Sequence, residues 1–214
     1  MRSVRVFYKK IGNMKYVSHL DMNRFMIRMV RVSGIPVWYS EGFNPHPYIT
    51  FALPLSLGFD SEYEVMDIRL DDDDFPNQKV YEALKENMPD GIELVDCDNP
   101  VMKAGDVAYA DFRIDFTDGV TSFAEKIENF LSAESIITGK RTKKGTIKEI
   151  NVKDFIKSYK LLGDTLWLTL AAGGSNNLNP KLVLDCFEEK CDIKLPFAQI
   201  TRTMLYNEQM KRFK

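Results

Sequence analysis

The order of strand and helix patterns is the feature that most constrains the fold, because it occurs twice along the chain. Each half contains the pattern of a strand, an amphipathic helix, further strands, a second helix and a closing strand. The segment 98–106, with its Asn-Pro and Gly, separates the halves. We therefore predict an α+β fold of two ferredoxin-like (split βαβ) halves with antiparallel sheets, in domains covering residues 1–98 and 106–214.

The first half contains the helix with the clearest boundaries. Ser18 and Asp21 have the spacing of a capping box, and Gly34 ends the pattern. Apolar residues between them recur with a period of 3.6, which is typical of a helix with one buried face. A second helix is predicted from Pro76, at its first position, to about residue 88. Strands are predicted at residues 4–9, 37–40, 48–53, 63–70 and 92–97.

The second half repeats this order with different sequences. Its first helix is the cleanest amphipathic pattern in the chain, and its second begins at Asn179 and Pro180. A hairpin is predicted between residues 136 and 150, around Lys143, Lys144 and Gly145. The helices are predicted at residues 120–131 and 179–189, and the other strands at residues 109–116, 155–161, 165–170 and 199–206.

The composition is typical of a folded soluble protein, with 44% hydrophobic and 28% charged residues. It excludes a disordered chain, a collagen-like fibre and a disulfide scaffold. Lys and Arg total 29 against 31 Asp and Glu, for a net charge of -2. This balance excludes a strongly basic nucleic-acid binder but permits a local basic patch.

Three cysteines without a CxxC pair, Cys97, Cys186 and Cys191, give no support to a zinc ribbon or an iron–sulfur site. We predict no metal site in this chain. The sequence contains no segment with the length of a signal-peptide core or a membrane span. We therefore expect a cytoplasmic location and no membrane contact.

The start of the first helix is one candidate site. His19 follows the Ser18 cap, and the free N–H groups of a helix N-terminus suit a phosphate or carboxylate. Arg24, Arg28 and Arg31 form a basic face that could steer a polyanion. The alternative is that Ser18 and Asp21 only cap the helix, and that the arginines form a solvated face.

The loop after the first helix is the second candidate site. Its sequence, YSEGFNPHPY at residues 39–48, suits no regular element, because each proline removes a backbone donor and restricts its neighbour. The loop is either a binding surface or a rigid crossover in which Asn44 and His46 satisfy buried backbone groups. The candidate binding residues in it are Ser40, Gly42, Phe43, Asn44, Pro45, His46 and Pro47.

The predicted hairpin of the second half is basic. Such a hairpin can contact the phosphates of a nucleic acid, or it can serve only to keep the protein soluble. The candidate nucleic-acid-binding residues are Lys140, Arg141, Lys143, Lys144 and Lys148.

No GxSxG, HExxH or CxxxCxxC motif supports a nucleophile elbow, a zinc protease site or a radical-SAM cluster. The remaining catalytic hypothesis uses the two histidines of the chain. In it, His19 and His46 perform general acid–base chemistry, and Asp21 orients an imidazole. That hypothesis requires the two histidines to converge on one pocket. Because no catalytic motif is complete, we favour a protein without enzymatic activity of its own.

Four segments resemble a known bacterial family. They are KIGNMKYVSHLDMNR at residues 10–24, IPVWYSEGFNPHP at 35–47, FALPLSLG at 51–58 and SEYE at 61–64. In these segments the chain resembles the radical-SAM-associated (radical-SAM-linked) proteins, a domain of unknown function. Beyond about residue 70 the likeness rests on weaker matches, such as RTKKG at 141–145.

The resemblance implies a partner more firmly than a mechanism. Members occur fused to a radical-SAM protein or encoded beside one, often near ribosomal-protein and ribonuclease genes. The partner would carry the iron–sulfur cluster and S-adenosylmethionine, and this chain would bind no cofactor. We therefore expect an accessory, substrate-binding module with an RNA-related or ribosome-related target. The alternatives are a stand-alone enzyme and a non-catalytic RNA-associated or ribosome-associated scaffold. The expected binding surface comprises Ser18, His19, Asp21, Arg24 and Arg28 together with residues 40–47.

Overall fold

The computed structural model of the chain describes residues 1–141, 147–174 and 176–214, and only the backbone of residues 140, 141, 147 and 148. The described residues form two compact units. Unit 1 consists of Met1–Val107 and Lys211–Lys214, and unit 2 of Ala108–Met210. Both units combine helices with antiparallel strands, which confirms the predicted α+β class.

Unit 1 contains four strands in the order β4-β1-β3-β2, and every neighbouring pair is antiparallel. One helix follows β1 and the other follows β3. This order agrees with the ferredoxin-like expectation. The elements are β1 (Arg2–Lys10), α1 (His19–Val32), β2 (Ile49–Phe51), β3 (Asp60–Leu70), α2 (Asn77–Lys85) and β4 (Ile92–Asp98).

One face of the unit 1 sheet carries the hydrophobic core. Alternate residues of β1 and β3 point to this face, as the period of two along a strand requires. The apolar stripes of α1 and α2 pack on them. The buried residues include Val4, Val6, Met66, Ile68 and Leu70 of the sheet, Met22, Met26 and Val30 of α1, and Val80 and Leu84 of α2.

The other face of this sheet is partly covered by the C-terminal residues of the chain. The Arg5 guanidinium lies 4.5 Å from the centroid of the buried Phe213 ring. It also donates two hydrogen bonds of 2.7 Å to the Asp67 carboxylate and one to the Met102 carbonyl. The Tyr63 hydroxyl donates to the Phe213 carbonyl at 2.6 Å, and burial raises the pKa of Tyr63.

Unit 2 repeats the strand order as β10-β5-β9-β8, again antiparallel throughout, and β6 pairs with β7 in a separate hairpin. The helix-covered face is again apolar, with Ile114, Leu166, Ile127 and Phe187 among its buried residues. The elements are β5 (Tyr109–Phe116), α3 (Ala124–Ser132), β6 (Ile137–Arg141), β7 (Ile147–Asn151), β8 (Ile156–Leu162), β9 (Thr165–Ala171), α4 (Pro180–Cys191) and β10 (Ala198–Tyr206).

The strand predicted at residues 37–40 is wrong. Val37 pairs only with Leu70, and Tyr39 only with Pro47, as isolated bridges. The pairing does not extend into a ladder, because the Trp38 N–H donates to the Arg69 carbonyl and the His46 N–H donates to the Ser40 hydroxyl. The second helix also begins one residue later than predicted, with Pro76 as its N-cap.

Candidate functional site

Ser18 and Asp21 cap the first turn of α1. The Ser18 hydroxyl accepts a hydrogen bond from the Asp21 backbone N–H at 3.2 Å and donates one to the Asp21 carboxylate at 2.7 Å. The side chain therefore satisfies one of the free donors at the helix start. This geometry assigns a structural role to both residues.

His19 is the first residue of α1 and packs against β2. Its ring meets the Phe51 ring edge to face, with 5.1 Å between the centroids. Phe51 packs in turn against the hydrophobic core of unit 1. The imidazole is therefore held at the N-terminal end of α1.

Three exposed arginines, Arg24, Arg28 and Arg31, follow one face of α1, and we call them the arginine stripe. Their spacing of four and three residues places them on neighbouring turns. The Arg24 guanidinium lies 3.3 Å from the Asp21 carboxylate. In the part of the chain that the structure describes, Arg28 has no hydrogen-bond or ion-pair partner. The stripe therefore offers at least one uncompensated positive charge.

Residues 40–47 form a loop that we call the NPHP loop. Hydrogen bonds between Ser40 and His46 close its base. The Ser40 N–H donates to the His46 carbonyl at 2.9 Å, and the His46 N–H donates to the Ser40 hydroxyl at 3.3 Å. The His46 Nδ1 lies 3.1 Å from the Ser40 hydroxyl and 3.1 Å from the Asn44 carbonyl. Since a carbonyl oxygen only accepts, the bond to Asn44 requires the proton on Nδ1.

The tip of the NPHP loop, at Gly42 and Phe43, extends into solvent. Gly42 has a φ of 121°, which favours glycine and turns the chain at this point. The next residue, Phe43, is fully exposed. Pro47 at the other end is buried and fixes the loop to unit 1. The loop therefore presents an aromatic ring that is fully exposed among the described residues.

Arg31 joins the NPHP loop to the arginine stripe. Its guanidinium donates to the Pro45 carbonyl at 3.2 Å and lies 6.0 Å from the centroid of the half-exposed Tyr39 ring. The loop therefore lies at the C-terminal end of α1, and His19 lies at the N-terminal end. Twelve residues of helix separate His19 from Arg31, a rise of about 18 Å along the axis. The structure does not bring His19 and His46 together.

A second cluster of arginine and aromatic residues lies on the opposite face of the unit 1 sheet. The Arg69 guanidinium is 4.9 Å from the Trp38 ring centroid and 5.8 Å from that of Tyr48. Arg69 is not among the residues predicted from the sequence to form a site. The available signal was its position in β3 between the core residues Ile68 and Leu70, which places it on the other face.

The basic residues selected in the second half lie outside the described side chains. Lys143 and Lys144 fall in the part of the chain that the structure leaves out. For Lys140, Arg141 and Lys148, only the backbone is described, in strands β6 and β7. Their contact with a nucleic acid stays a prediction.

The described residues contain neither a metal-ligand cluster nor a membrane-spanning helix. No group of three or more His, Cys, Asp or Glu side chains is arranged to hold a metal ion in residues 1–141, 147–174 and 176–214. Within the same ranges, no helix has the length and apolar character needed to cross a membrane.

Comparison with known families bears on the whole of this site. The model of a family described as "Uncharacterized protein conserved in bacteria (DUF2344)" matches residues 3–180. The chain belongs to the DUF2344 family. The DUF2344 match contains α1, the NPHP loop, β2–β9 and all of β1 except its first residue. A search of curated proteins found no match. The match establishes family membership, and the radical-SAM partner stays a prediction.

Proposed function

We propose that this chain is an accessory module that binds single-stranded RNA and presents it to a radical-SAM protein. In this proposal the arginine stripe contacts phosphates and the NPHP loop stacks on a base. The observation that carries it is the fully exposed Phe43 ring on a loop fixed by Ser40 and His46. Proteins that bind single-stranded RNA combine such aromatic platforms with arginines.

The electrostatics of the surface support phosphate contacts. Among the described residues, the exposed Arg28 has no partner, and Arg31 bonds only to a neutral carbonyl and faces an aromatic ring. Binding a phosphate at Arg28 therefore breaks no ion pair of the protein. Arg24 would first have to leave the Asp21 carboxylate.

The geometry favours this binding role over the catalytic alternative. General acid–base catalysis by His19 and His46 needs both side chains within reach of one substrate. Their contacts lie at opposite ends of α1. His46 instead organises the loop that carries Phe43, which is a positioning role.

The partner in this proposal follows from the sequence resemblance. The radical-SAM protein would hold the iron–sulfur cluster and S-adenosylmethionine, and this chain would contribute substrate binding in the cytoplasm. A non-catalytic scaffold on RNA or the ribosome would use the same surface. The two roles differ in whether the radical enzyme depends on this chain.

RNA binding is tested by fluorescence anisotropy with a short labelled single-stranded RNA. Phe43→Ala should weaken binding about tenfold, since loss of one stacked base costs roughly 1–3 kcal/mol. Arg28→Gln should weaken binding and reduce the dependence of log K on log salt by about one unit. The matched controls are Phe197→Ala and Lys126→Gln, which change an exposed aromatic and an exposed helical cation in unit 2. Equal binding by Phe43→Ala and Phe197→Ala would overturn the proposed stacking role.

The accessory role is tested by anaerobic capture of the tagged chain from its own cells, with mass spectrometry of the bound proteins. We expect recovery of a radical-SAM protein whose S-adenosylmethionine cleavage or product formation increases when this chain is added. Recovery of RNA without such a protein would support the scaffold instead.

A further inference from the structure

We propose that a cleft on the open face of the unit 1 sheet binds a nucleotide through Arg69. The cleft has a volume of about 350 Å³. Its walls are Ser3, Tyr48, Thr50, Asp67, Arg69 and the segment 100–104. Side chains alternate along β3, so Arg69 and the core residue Ile68 lie on opposite faces. The cleft is therefore separate from the surface that α1 presents, and its function goes beyond the proposed RNA contact.

The charge of the cleft favours an anion. Asp67 is the one carboxylate among its walls, and both of its oxygens accept hydrogen bonds from Arg5 at 2.7 Å. Across the described residues, no carboxylate lies within ion-pair distance of Arg69 or of the Lys103 ammonium. Two positive charges therefore remain uncompensated around the cleft. A phosphate group, which arginine binds through paired N–H donors, meets this requirement.

The direction of the Arg69 side chain is set before any ligand binds. Its guanidinium lies against the rings of Trp38 and Tyr48, which meet each other edge to face at 5.5 Å. Contact with the rings leaves the N–H groups of the guanidinium without acceptors in the described part of the chain. A pre-oriented arginine loses little conformational entropy when it bonds a phosphate.

The remaining walls suit the base and the ribose of a nucleotide. Tyr48 is 45% exposed, which leaves part of its ring free to stack on a planar base. Ser3 and Thr50 have hydroxyls that form no hydrogen bond with any described residue, so they can bond ribose or base atoms. A volume of about 350 Å³ is within the range of small-molecule sites. The cleft thus offers an arginine for a phosphate, the Tyr48 ring for a base, and the Ser3 and Thr50 hydroxyls for polar atoms of the ribose or base. This combination favours a nucleotide over a simple anion.

The test is isothermal titration calorimetry with the full chain and four probes: a nucleoside monophosphate, the nucleoside, ribose 5-phosphate and inorganic phosphate. The monophosphates of adenosine, guanosine, uridine and cytidine are compared in turn. We expect at least one monophosphate to bind about tenfold or more tightly than each of the three fragments, since the cleft has groups for each part. Equal affinity for inorganic phosphate would overturn the nucleotide assignment.

Substitutions of single residues test whether the nucleotide binds in the cleft. Arg69→Gln should weaken nucleotide binding about tenfold or more, and Arg69→Lys should restore only part of it, because lysine lacks the paired donors. Arg28→Gln is the matched control and should leave nucleotide affinity unchanged. In a Trp167→Phe background the fluorescence comes from Trp38 alone, so a nucleotide-dependent change reports from the cluster itself. Equal nucleotide affinity in Arg69→Gln and Arg28→Gln would overturn the proposal.

Two measures keep the test decisive. If Arg69→Gln does not fold, Thr50→Val removes a wall hydroxyl without changing the ring cluster, and it should weaken nucleotide binding. The RNA assay then separates this proposal from the preceding one. Loss of nucleotide binding with unchanged RNA binding assigns the cleft to a free nucleotide, and loss of both assigns it to one nucleotide of the RNA. Absence of nucleotide binding by the folded wild-type protein at millimolar nucleotide concentration would overturn the proposed nucleotide site. It would not contradict the proposed RNA contact of the α1 surface.

Discussion

The two units have the same order of elements but differ in the connection from their first helix to the next strand of the sheet. In unit 1 this connection, residues 33–48, contains the NPHP loop. In unit 2 the same position between α3 and β8 contains the hairpin of β6 and β7. Sheet strands must keep their register, whereas a connection at the sheet end can change freely. The NPHP loop and the hairpin of β6 and β7 therefore occupy the position at which this fold tolerates variation.

The units also differ on the sheet face that no helix covers. In unit 1 the fully buried Arg5 of β1 pairs with Asp67, whose side chain is 16% exposed, and lies against Phe213. In unit 2 Arg113 of the corresponding strand, β5, pairs with Asp115 of the same strand, and both side chains are at least 30% exposed. The comparison shows that the arginine pair of unit 1 is buried and joins two strands, whereas that of unit 2 is more exposed and lies within one strand. The stability of unit 1 should therefore respond more strongly to the loss of its pair.

The largest expected effect is that of Phe213→Ala. The ring is fully buried against Arg5, and removing a buried phenylalanine ring typically costs about 3–5 kcal/mol of unfolding free energy. Each unit contains one tryptophan, Trp38 or Trp167. Urea unfolding followed by Trp38 fluorescence in a Trp167→Phe background should show a lower midpoint.

The control for this substitution is Phe197→Ala, because Phe197 of unit 2 is 71% exposed. It should change the midpoint little. Repeating the measurement with Trp167 as the reporter shows whether the two units unfold together or in separate steps. An unchanged Trp38 midpoint in Phe213→Ala would contradict the role of the C-terminal residues.

The next largest effect on stability is expected from breaking the Arg5–Asp67 pair, for which the Arg113–Asp115 pair is the comparison. Asp67→Asn leaves the Arg5 charge buried without a carboxylate, and loss of one partner of a buried pair costs about 3 kcal/mol or more. Asp115→Asn breaks a more exposed pair, and we expect a cost of about 1 kcal/mol or less. Chemical unfolding of both variants measures the difference. Similar costs would show that burial does not distinguish these pairs.

The parts of the fold predicted from the sequence are those determined by nearby residues. The α1 helix begins at the predicted Ser18 cap, because the hydroxyl and the Asp21 N–H are three residues apart. Strand β5 covers the predicted residues because its apolar residues alternate strictly. The α4 helix begins at the predicted Asn179 and Pro180 pair for the same local reason.

The parts that were missed depend on residues far apart in the sequence. Arg5 meets Phe213 and Asp67 only through the folded sheet, and no local pattern predicts that pairing. Arg69 is one of five charged residues in β3, so its charge alone does not mark it, and its ring contacts come from the loop at residues 38–48. For the candidate site, the sequence indicated Phe43 and the arginines. It did not indicate that Arg31 connects them, because the Pro45 carbonyl bonds a side chain fourteen residues earlier.

A smaller effect is expected at the helix starts. Ser18→Ala removes the hydroxyl that accepts from Asp21 N–H and should cost about 1 kcal/mol. Asn179→Ala removes the equivalent cap of α4 in unit 2, where the side-chain oxygen accepts from Lys181 N–H at 2.9 Å, and should cost a similar amount. Ser18→Ala should leave RNA affinity unchanged if the residue only caps the helix. A loss of RNA affinity without a loss of stability would assign Ser18 to the binding surface.

The smallest effect on stability is expected from the ionisation of the Cys97 thiol in β4, which acts only at alkaline pH. Burial, and secondarily the nearby Asp96 carboxylate, raise the pKa of this thiol to about 12 from the usual 9.0. Because the folded state favours the neutral thiol, this contribution to stability is fully present below pH 9 and is lost as the pH rises toward 12. The stability difference between wild type and Cys97→Ala should therefore shrink when urea unfolding is repeated at about pH 10. In unit 2 burial also raises the pKa of Cys186, but the Thr138 hydrogen bond opposes it, so Cys186→Ala should show a weaker pH dependence. A constant difference for Cys97→Ala across this range would show that the thiol is already solvated in the folded protein.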